Sequence, residues 1–226
     1  AMRQEFKPIG NDVRAASDTS GGGDKQPMMI RIGTDIVHQE RAGCSTGIEH
    51  GEHLVKKLKS LGIEPWLFII DGGGLGAEVA NYMEKRLDYS GIKRAQANTA
   101  PRFKFEYRDK YTETHFLLKE LLSAGVLRFD MANDRILKQM RCRRFIEMEA
   151  GLKIKTEPKP AHRKREKESP DDLDTLIYLL YDFDWSLLSI YKDRQVSGES
   201  ERAPTEMEKK AEAVVIGGGQ CFNGRK

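Results

Sequence analysis

Residues 66–74 read WLFIIDGGG: five apolar residues in succession, then an aspartate and three glycines. A continuous apolar run of this length, bounded by Pro65 and Asp71, is typical of a strand buried on both faces of a parallel or mixed sheet. The glycines that follow indicate a turn. The stretch therefore predicts the central strand of an α/β fold, with Asp71 at its carboxyl end.

The segments around this strand carry the patterns of alternating helices and strands. Apolar residues recur at helical spacing in two segments, and short apolar or alternating runs separate them. In chain order we expect a strand at 6–13 that forms a hairpin with 28–33, extended by 36–38. Helices at 49–61 and 75–87 and a neighbouring parallel strand at 92–97 follow.

The second half of the chain adds three helices. We expect helices at 112–124 and 133–150 with a short apolar piece at 126–129, a basic stretch at 153–167, and a last helix at 170–185. Beyond Gln195 the chain is polar, charged and finally glycine-rich, without a continuous core pattern. We therefore expect one α/β domain at 1–195, a mixed central sheet flanked by helices, and a flexible tail at 196–226.

The composition suits a globular domain. With 226 residues, 38% hydrophobic and 32% charged, the chain can bury a sizeable core. Its net charge of +3 is too small to establish a nucleic-acid partner. No apolar run approaches the roughly 20 residues of a membrane span, so we expect a cytosolic protein without a membrane partner. Three scattered cysteines support neither a disulfide framework nor a zinc knuckle.

Acidic residues fall at three separate points of this pattern. Ligands of open α/β sheets sit outside the carboxyl ends of the strands, so carboxylates that arrive there are candidates for one shared site. Carboxylates that converge require cations, and Mg²⁺ prefers oxygen ligands. Two such ions, about 3.5–4 Å apart, would stabilise the attacking and leaving oxygens of phosphodiester hydrolysis. The candidates are Asp12 after the first strand, Asp71 after the central strand, and Asp171, Asp172 and Asp174 at the head of the last helix.

Each acid also has a purely structural interpretation. Ser169 and Pro170 predict a helix start, where the helix dipole favours Asp171 and Asp172. Asp174 lies beyond the capping positions and gains less from the dipole. For the two acids that follow strands, the structural alternative is a residue of a turn.

Four stretches follow one another along the chain: 9–13 (IGNDV) with 21–24 (GGGD), 71–76 (DGGGLG), 121–127 (LLSAGVL) and 169–176 (SPDDLDTL). The first resembles the first-strand motif of the nuclease domain of large terminase subunits from tailed bacteriophages, an aspartate before a glycine-rich turn with a second acid. The second resembles the central-strand aspartate and glycine turn of that family, and the third resembles the segment before its penultimate helical region. The last is similar to its closing motif, which ends in a metal-binding aspartate.

This resemblance implies an RNase H-like (RuvC-like) fold and metal-dependent cleavage of DNA with two Mg²⁺ or Mn²⁺ ions. The catalytic metal ligands that it implies are Asp12, Asp71 and Asp174, with Asp171 as an auxiliary ligand. The first turn is longer than expected, so Asp18 or Asp24 competes with Asp12 for the first position.

Large terminase subunits also contain an ATPase motor, whose phosphate loop reads Gly-x-x-x-x-Gly-Lys-Ser/Thr. The sequence lacks this pattern, so we expect no ATP hydrolysis. The resemblance implies as partners double-stranded DNA, an ATPase motor domain, a small terminase subunit and a portal, in the cytoplasm of a host cell. If the protein contacts DNA phosphates and does not read the bases, cleavage would have little sequence preference. A basic cluster ahead of the last helix either contacts the DNA phosphates or is a solvated loop. Its members are Lys153, Lys155, Lys159, Arg163, Lys164, Arg165 and Lys167.

Three alternatives remain open. Residues 72–77 (GGGLGA) satisfy the dinucleotide fingerprint G-x-G-x-x-A, although they do not follow the first strand and the next strand ends without an acid. A Holliday-junction resolvase or transposase-like nuclease would use the same acids. A non-catalytic DNA-binding or portal-binding module would need them only as helix caps and turns.

Overall fold

The computed structural model describes residues 12–19, 25–129, 134–147, 153–185 and 188. These residues form two compact units. The first unit contains the described residues up to Ala97 together with Asp174–Tyr181. The second contains Asn98–Leu173 and the described residues from Asp182 onward, so the boundary falls inside the last helix.

The first unit contains a mixed sheet, as the sequence predicts. The strands of the first unit are β1 (Val13–Ser17), β2 (Gln26–Ile32), β3 (Asp35–Ala42), β4 (Phe68–Asp71) and β5 (Lys93–Ala95). They lie side by side in the order β5-β4-β1-β2-β3. β1 pairs antiparallel with β2, and β2 with β3, whereas β4 pairs in parallel with both β1 and β5.

Two helices cover one face of this sheet, α1 (Gly47–Ser60) and α2 (Gly74–Arg86). The Thr46 side chain accepts a hydrogen bond from the amide of Glu49 and begins α1. The alternate residues of the strands that face the helices are apolar and buried, and they form one core with the helices. That core includes Ala15, Phe68 and Ile70 from the strands, and Leu54, Leu58, Val79 and Met83 from the helices.

The second unit contains α3 (Lys110–Ser123), β6 (Arg128–Phe129), α4 (Asp134–Cys142), a hairpin of β7 (Phe145–Glu147) and β8 (Ile154–Thr156), and α5 (Lys159–Glu166). The last helix, α6 (Asp171–Leu179), crosses the boundary between the units. The prediction of one helix over 133–150 is wrong, because the chain leaves the helix at Cys142 and pairs with β8 from Phe145. The rest of that segment, 148–150, lies outside the described residues.

The first strand also differs from the expectation. It begins at Val13 and ends at Ser17, whereas the sequence predicted a strand over 6–13, of which 6–11 lie outside the described residues. The predicted tail at 196–226 lies outside them as well, so the domain boundary stays a prediction. Among the helices that are described, none has the length and apolar character needed to cross a membrane.

Ser17, the last residue of β1, is held in place by contacts with β2 and α1. The Ser17 hydroxyl donates to the Pro27 carbonyl over 2.8 Å and lies 3.3 Å from Nε2 of His50. His50 is only 1% exposed. Burial lowers the pKa of His50 from 6.5 to about 4, and the nearby His53 adds to the shift.

We predict that the free energy of unfolding decreases as the pH falls from about 6.5 to about 4, because the unfolded chain binds a proton on His50 that the folded chain excludes. At 1.36 kcal/mol per pKa unit, His50 contributes about 3 kcal/mol to this loss. Urea unfolding at pH 7 and pH 4 measures it for the unaltered chain, for His50→Gln and for the control His53→Gln. The loss should be smaller in His50→Gln alone. An equal loss in all three proteins would contradict the assignment.

Candidate metal centre

Three buried aspartates meet in the structure. The carboxylates of Asp18, Asp171 and Asp174 each offer an oxygen, and these oxygens all lie within 4.8 Å of one another. In the described part of the chain this is the one group of three or more acidic, histidine or cysteine side chains that could hold a metal ion. The three residues are 1%, 2% and 1% exposed. Anionic groups this close repel one another unless a cation lies between them.

Asp18 directly follows β1, and its backbone is fastened on two sides. Its amide donates to the Thr175 hydroxyl on α6 over 3.1 Å. The preceding residue, Ser17, is bonded to β2 and lies against His50 of α1. The end of the strand is therefore fixed between the sheet and α6, and Asp18 has a defined position.

Asp171 and Asp174 lie three residues apart on α6, which places them on one face of the helix. The Ser169 hydroxyl donates to the Asp171 carboxylate. Nζ of Lys159 lies 3.4 Å from the same carboxylate and supplies a positive charge. The helix start predicted at Ser169 therefore turns its first acid toward the cluster.

Asp71 reaches the same edge of the sheet through strand register. Ser17 pairs with Ile70 in the parallel ladder of β1 and β4, so Asp18 and Asp71 are the next residues of two adjacent strands. Ile70 packs in the core against α1 and α2, so alternation turns Asp71 toward the opposite face. On that opposite face the Thr175 hydroxyl of α6 accepts a hydrogen bond from the amide of Asp18. In this structure Oδ1 of Asp71 accepts from the amide of Gly73 over 3.1 Å, and Asp71 is not one of the three clustered acids.

The glycines after Asp71 allow a close approach of backbones. A Cβ atom on Gly76 would lie 2.5 Å from the carbonyl oxygen of Asp71, and one on Gly72 would lie 2.8 Å from the carbonyl oxygen of Ala95. The amide of Gly72 donates to that same Ala95 oxygen over 2.7 Å. The glycine run therefore brings β4, β5 and the start of α2 together beneath Asp71.

The structure corrects the position expected for Asp12. This residue precedes β1 instead of following it, and six positions of extended chain, about 20 Å, separate it from Asp18. The Asp12 carboxylate is 42% exposed and pairs with Arg14 at 2.7 Å and Arg31 at 2.9 Å. The sequence predicted a first strand that ends at Val13, whereas β1 begins at Val13. Asp12 was therefore expected at the wrong end of the strand. Of the two competing acids, Asp18 lies in the cluster, and Asp24 lies outside the described residues.

Asp172 has the structural role that its capping position indicated. Its carboxylate accepts from Nε of Arg135 over 2.8 Å and from Nε2 of Gln139 over 3.2 Å. Both partners lie on α4. Asp172 therefore packs α6 against α4 and does not belong to the cluster.

The predicted basic cluster lies on β8, on α5 and in the adjoining loop. Arg165 is bound to the Glu157 carboxylate at 2.6 Å, and Lys159 is paired with Asp171. These two cations therefore serve the fold and the acidic cluster. The exposed members are Arg163, Lys164 and Lys167, and the half-buried ones on or beside β8 are Lys153 and Lys155.

Solved structures of phage terminase nuclease domains have the same fold as this chain. For the nuclease domain of the large terminase subunit gp2 of bacterial virus Sf6, the TM-score is 0.64 at 16% identity, over 76% of this chain and 89% of that one. A mutant of the same domain with manganese gives 0.63 at 14% identity, over 76% and 89%. The large terminase nuclease from thermophilic phage G20c with bound magnesium gives 0.53 at 14% identity, over 79% and 85%.

No family model matches the sequence, and no curated protein matches it. At these levels of identity the structural similarity establishes the fold. The RNase H-like class expected from the sequence is confirmed.

We predict that Gly76→Ala lowers the free energy of unfolding by about 1–3 kcal/mol, because the new methyl group would overlap the backbone of Asp71. Alanine normally stabilises a helix relative to glycine, so a loss identifies the steric contact. The control is Gly43→Ala, where a Cβ atom would meet nothing within 4 Å. Urea unfolding measures both variants, and calorimetry should show weaker Mn²⁺ binding for Gly76→Ala only. A stabilised Gly76→Ala variant with unchanged Mn²⁺ binding would refute this prediction.

Proposed function

We propose that the chain is a metal-dependent endodeoxyribonuclease, the nuclease domain of a phage large terminase subunit that cuts concatemeric viral DNA during genome packaging. One observation carries the proposal: three buried carboxylates, from Asp18, Asp171 and Asp174, converge at the carboxyl edge of the sheet. The fold shared with solved terminase nuclease domains supports it.

The ligand set fits a hard divalent cation. Carboxylate oxygens are the ligands that Mg²⁺ prefers, and they also suit Mn²⁺. Structures of similar nuclease domains contain manganese or bound magnesium. We assign Asp18, Asp71 and Asp174 as the metal ligands and Asp171 as the auxiliary ligand. Asp18 takes the place that the resemblance first gave to Asp12.

Two ions bound about 3.5–4 Å apart would activate a water molecule and stabilise the leaving oxygen of a phosphodiester. The protein supplies the geometry. Thr175 holds Asp18 against α6, the register of β1 and β4 brings Asp71 alongside, and the helix spacing aligns Asp171 with Asp174. Lys159 balances part of the negative charge. The side chains of Asp18, Asp171 and Asp174 already lie together before the cations bind, which reduces the cost of binding them, whereas Asp71 has to turn from Gly73.

Double-stranded DNA is the proposed substrate. The exposed cations Arg163, Lys164 and Lys167 lie just before α6 in the chain and suit contacts with phosphates. Phosphate contacts carry no base information, so we expect cleavage with little sequence preference. In the full terminase the partners would be the ATPase motor domain, the small subunit and the portal, in the cytoplasm of the host cell.

A plasmid-nicking assay tests the function. The unaltered chain should nick and linearise plasmid DNA with Mg²⁺ or Mn²⁺ and be inactive in EDTA. Asp18→Asn, Asp71→Asn and Asp174→Asn should each reduce the rate by at least about 100-fold, because each removes a metal ligand. Thermal melting of each variant confirms that it is folded.

Asp12→Asn is the matched control, because Asp12 was the first ligand predicted from the sequence and lies at the other end of β1. It should retain cleavage at temperatures where it is folded. Cleavage in EDTA, or a folded Asp12→Asn variant that is inactive beside an active Asp18→Asn variant, would overturn the assignment.

A further inference from the structure

Phe105 is 92% exposed, while the other large apolar side chains at the described surface are between 39% and 56% exposed. It lies in the segment 102–108, RFKFEYR, which we call the tip loop. Aromatic and charged residues alternate along it, and three of the four charged residues are basic. An aromatic ring so fully in water contributes nothing to the core. Single exposed apolar side chains are common at protein surfaces, so the contacts and charges around this ring decide whether it has a role.

The tip loop is tightly fastened at its base. Both carboxylate oxygens of Glu113, on α3, accept hydrogen bonds from the loop, one from the amide of Arg102 over 3.0 Å and one from the amide of Phe103 over 2.7 Å. The amides of Glu106 and Tyr107 both donate to the Phe103 carbonyl over 3.1 Å, which closes a turn around Phe105. The backbone that carries Phe105 is therefore held in a defined position.

The end of the tip loop is joined to β8. The amide of Arg108 donates to the Ile154 carbonyl over 2.9 Å, and the amide of Ile154 donates to the Glu106 carbonyl over 2.9 Å. The neighbouring aromatic rings are engaged: Phe103 lies edge-on to Trp185 with ring centroids 5.4 Å apart, and Tyr107 lies 4.9 Å from Phe116. These contacts hold the flanks of the loop and leave Phe105 in solvent.

The charges around Phe105 suit a polyanion. Arg102, Lys104 and Arg108 are exposed members of the tip loop, and Glu106 is its exposed acid. Lys153 and Lys155 flank Ile154, the residue of β8 to which the loop is bonded. A partner protein that binds by hydrophobic burial would require a contiguous apolar patch, whereas here the exposed rings of Phe103 and Phe105 are separated by the exposed Lys104. Aromatic rings beside a cationic track are the features that bind single-stranded nucleic acid.

We propose that the tip loop is a second DNA-binding surface, in which Phe105 stacks on an unpaired base while Arg102, Lys104 and Arg108 contact the adjacent phosphates. The proposal rests on the proposed function for its choice of DNA as the partner. A strand that has been nicked or has frayed at an end exposes the unpaired bases on which such a ring can stack.

Fluorescence anisotropy in EDTA tests the proposal without cleavage, using a labelled single-stranded oligonucleotide and a labelled blunt duplex. Phe105→Ala should weaken binding to the single strand about tenfold and change binding to the duplex much less, because stacking requires an unpaired base. Phe105→Trp should retain binding, and Phe105→Leu should not. Lys104→Ala should weaken binding to both oligonucleotides. For the single strand it should also reduce the slope of log K against log[salt] by about 0.7.

Trp66→Ala is the control, because Trp66 is an exposed aromatic residue, at 56%, in the other unit. It should bind both oligonucleotides like the unaltered chain. Phe105→Ala should keep its melting temperature, since the side chain is in solvent. Unchanged single-strand binding by Phe105→Ala, or full binding by Phe105→Leu, would overturn the proposal. Because the binding assay contains no metal, its result does not depend on whether the chain is a nuclease. If the chain cleaves DNA but Phe105→Ala binds the single strand normally, only the tip-loop proposal is refuted.

Discussion

Ser17 pairs with Ile70 in a parallel ladder, and this pairing determines where the next residues of the two strands, Asp18 and Asp71, leave the sheet. Parallel strands end at the same edge, so the two residues leave the sheet next to each other although 52 intervening residues separate them in the chain. The acids of α6 come to that edge through a backbone contact with Asp18. Metal binding and cleavage, as proposed, both depend on this single register.

The position of α6 is fixed at both of its ends. Near its start, Asp172 binds Arg135 of α4, and Thr175 binds the amide of Asp18. At its end, Nε of the buried Arg31 donates to the Leu179 carbonyl over 3.0 Å. A cation at a helix C-terminus interacts favourably with the helix dipole. Asp12 neutralises Arg31 at 2.9 Å and so supports the far end of the helix that carries the proposed ligands.

Much of the fold follows from periodicity in the sequence. The apolar run before Asp71 predicted β4, and the Ser169-Pro170 helix start predicted α6 with its acids, because both signals are local and strong. The choice between Asp12 and Asp18 depended on where β1 ends. That end is set by hydrogen bonds to Pro27, His50 and Thr175, which are distant in sequence and leave no local pattern.

The hairpin of β7 and β8 escaped prediction for a related reason. Each strand has three residues, too few for a visible alternation, and the pairing between them replaces the helix that the preceding segment favoured. The roles of Lys159 and Arg165 were hidden for the same reason, since only the folded chain shows that they bind Asp171 and Glu157. Contacts between distant segments, rather than local propensity, decide these positions.

Anomalous diffraction from crystals of the chain soaked in Mn²⁺ tests the proposed centre most directly, because the peaks locate the ions without reference to activity. We expect manganese peaks bound by Asp18 and Asp174, with Asp71 turned from Gly73 toward the ions. Ions bound at Asp12, or no peak among the clustered aspartates, would contradict the account.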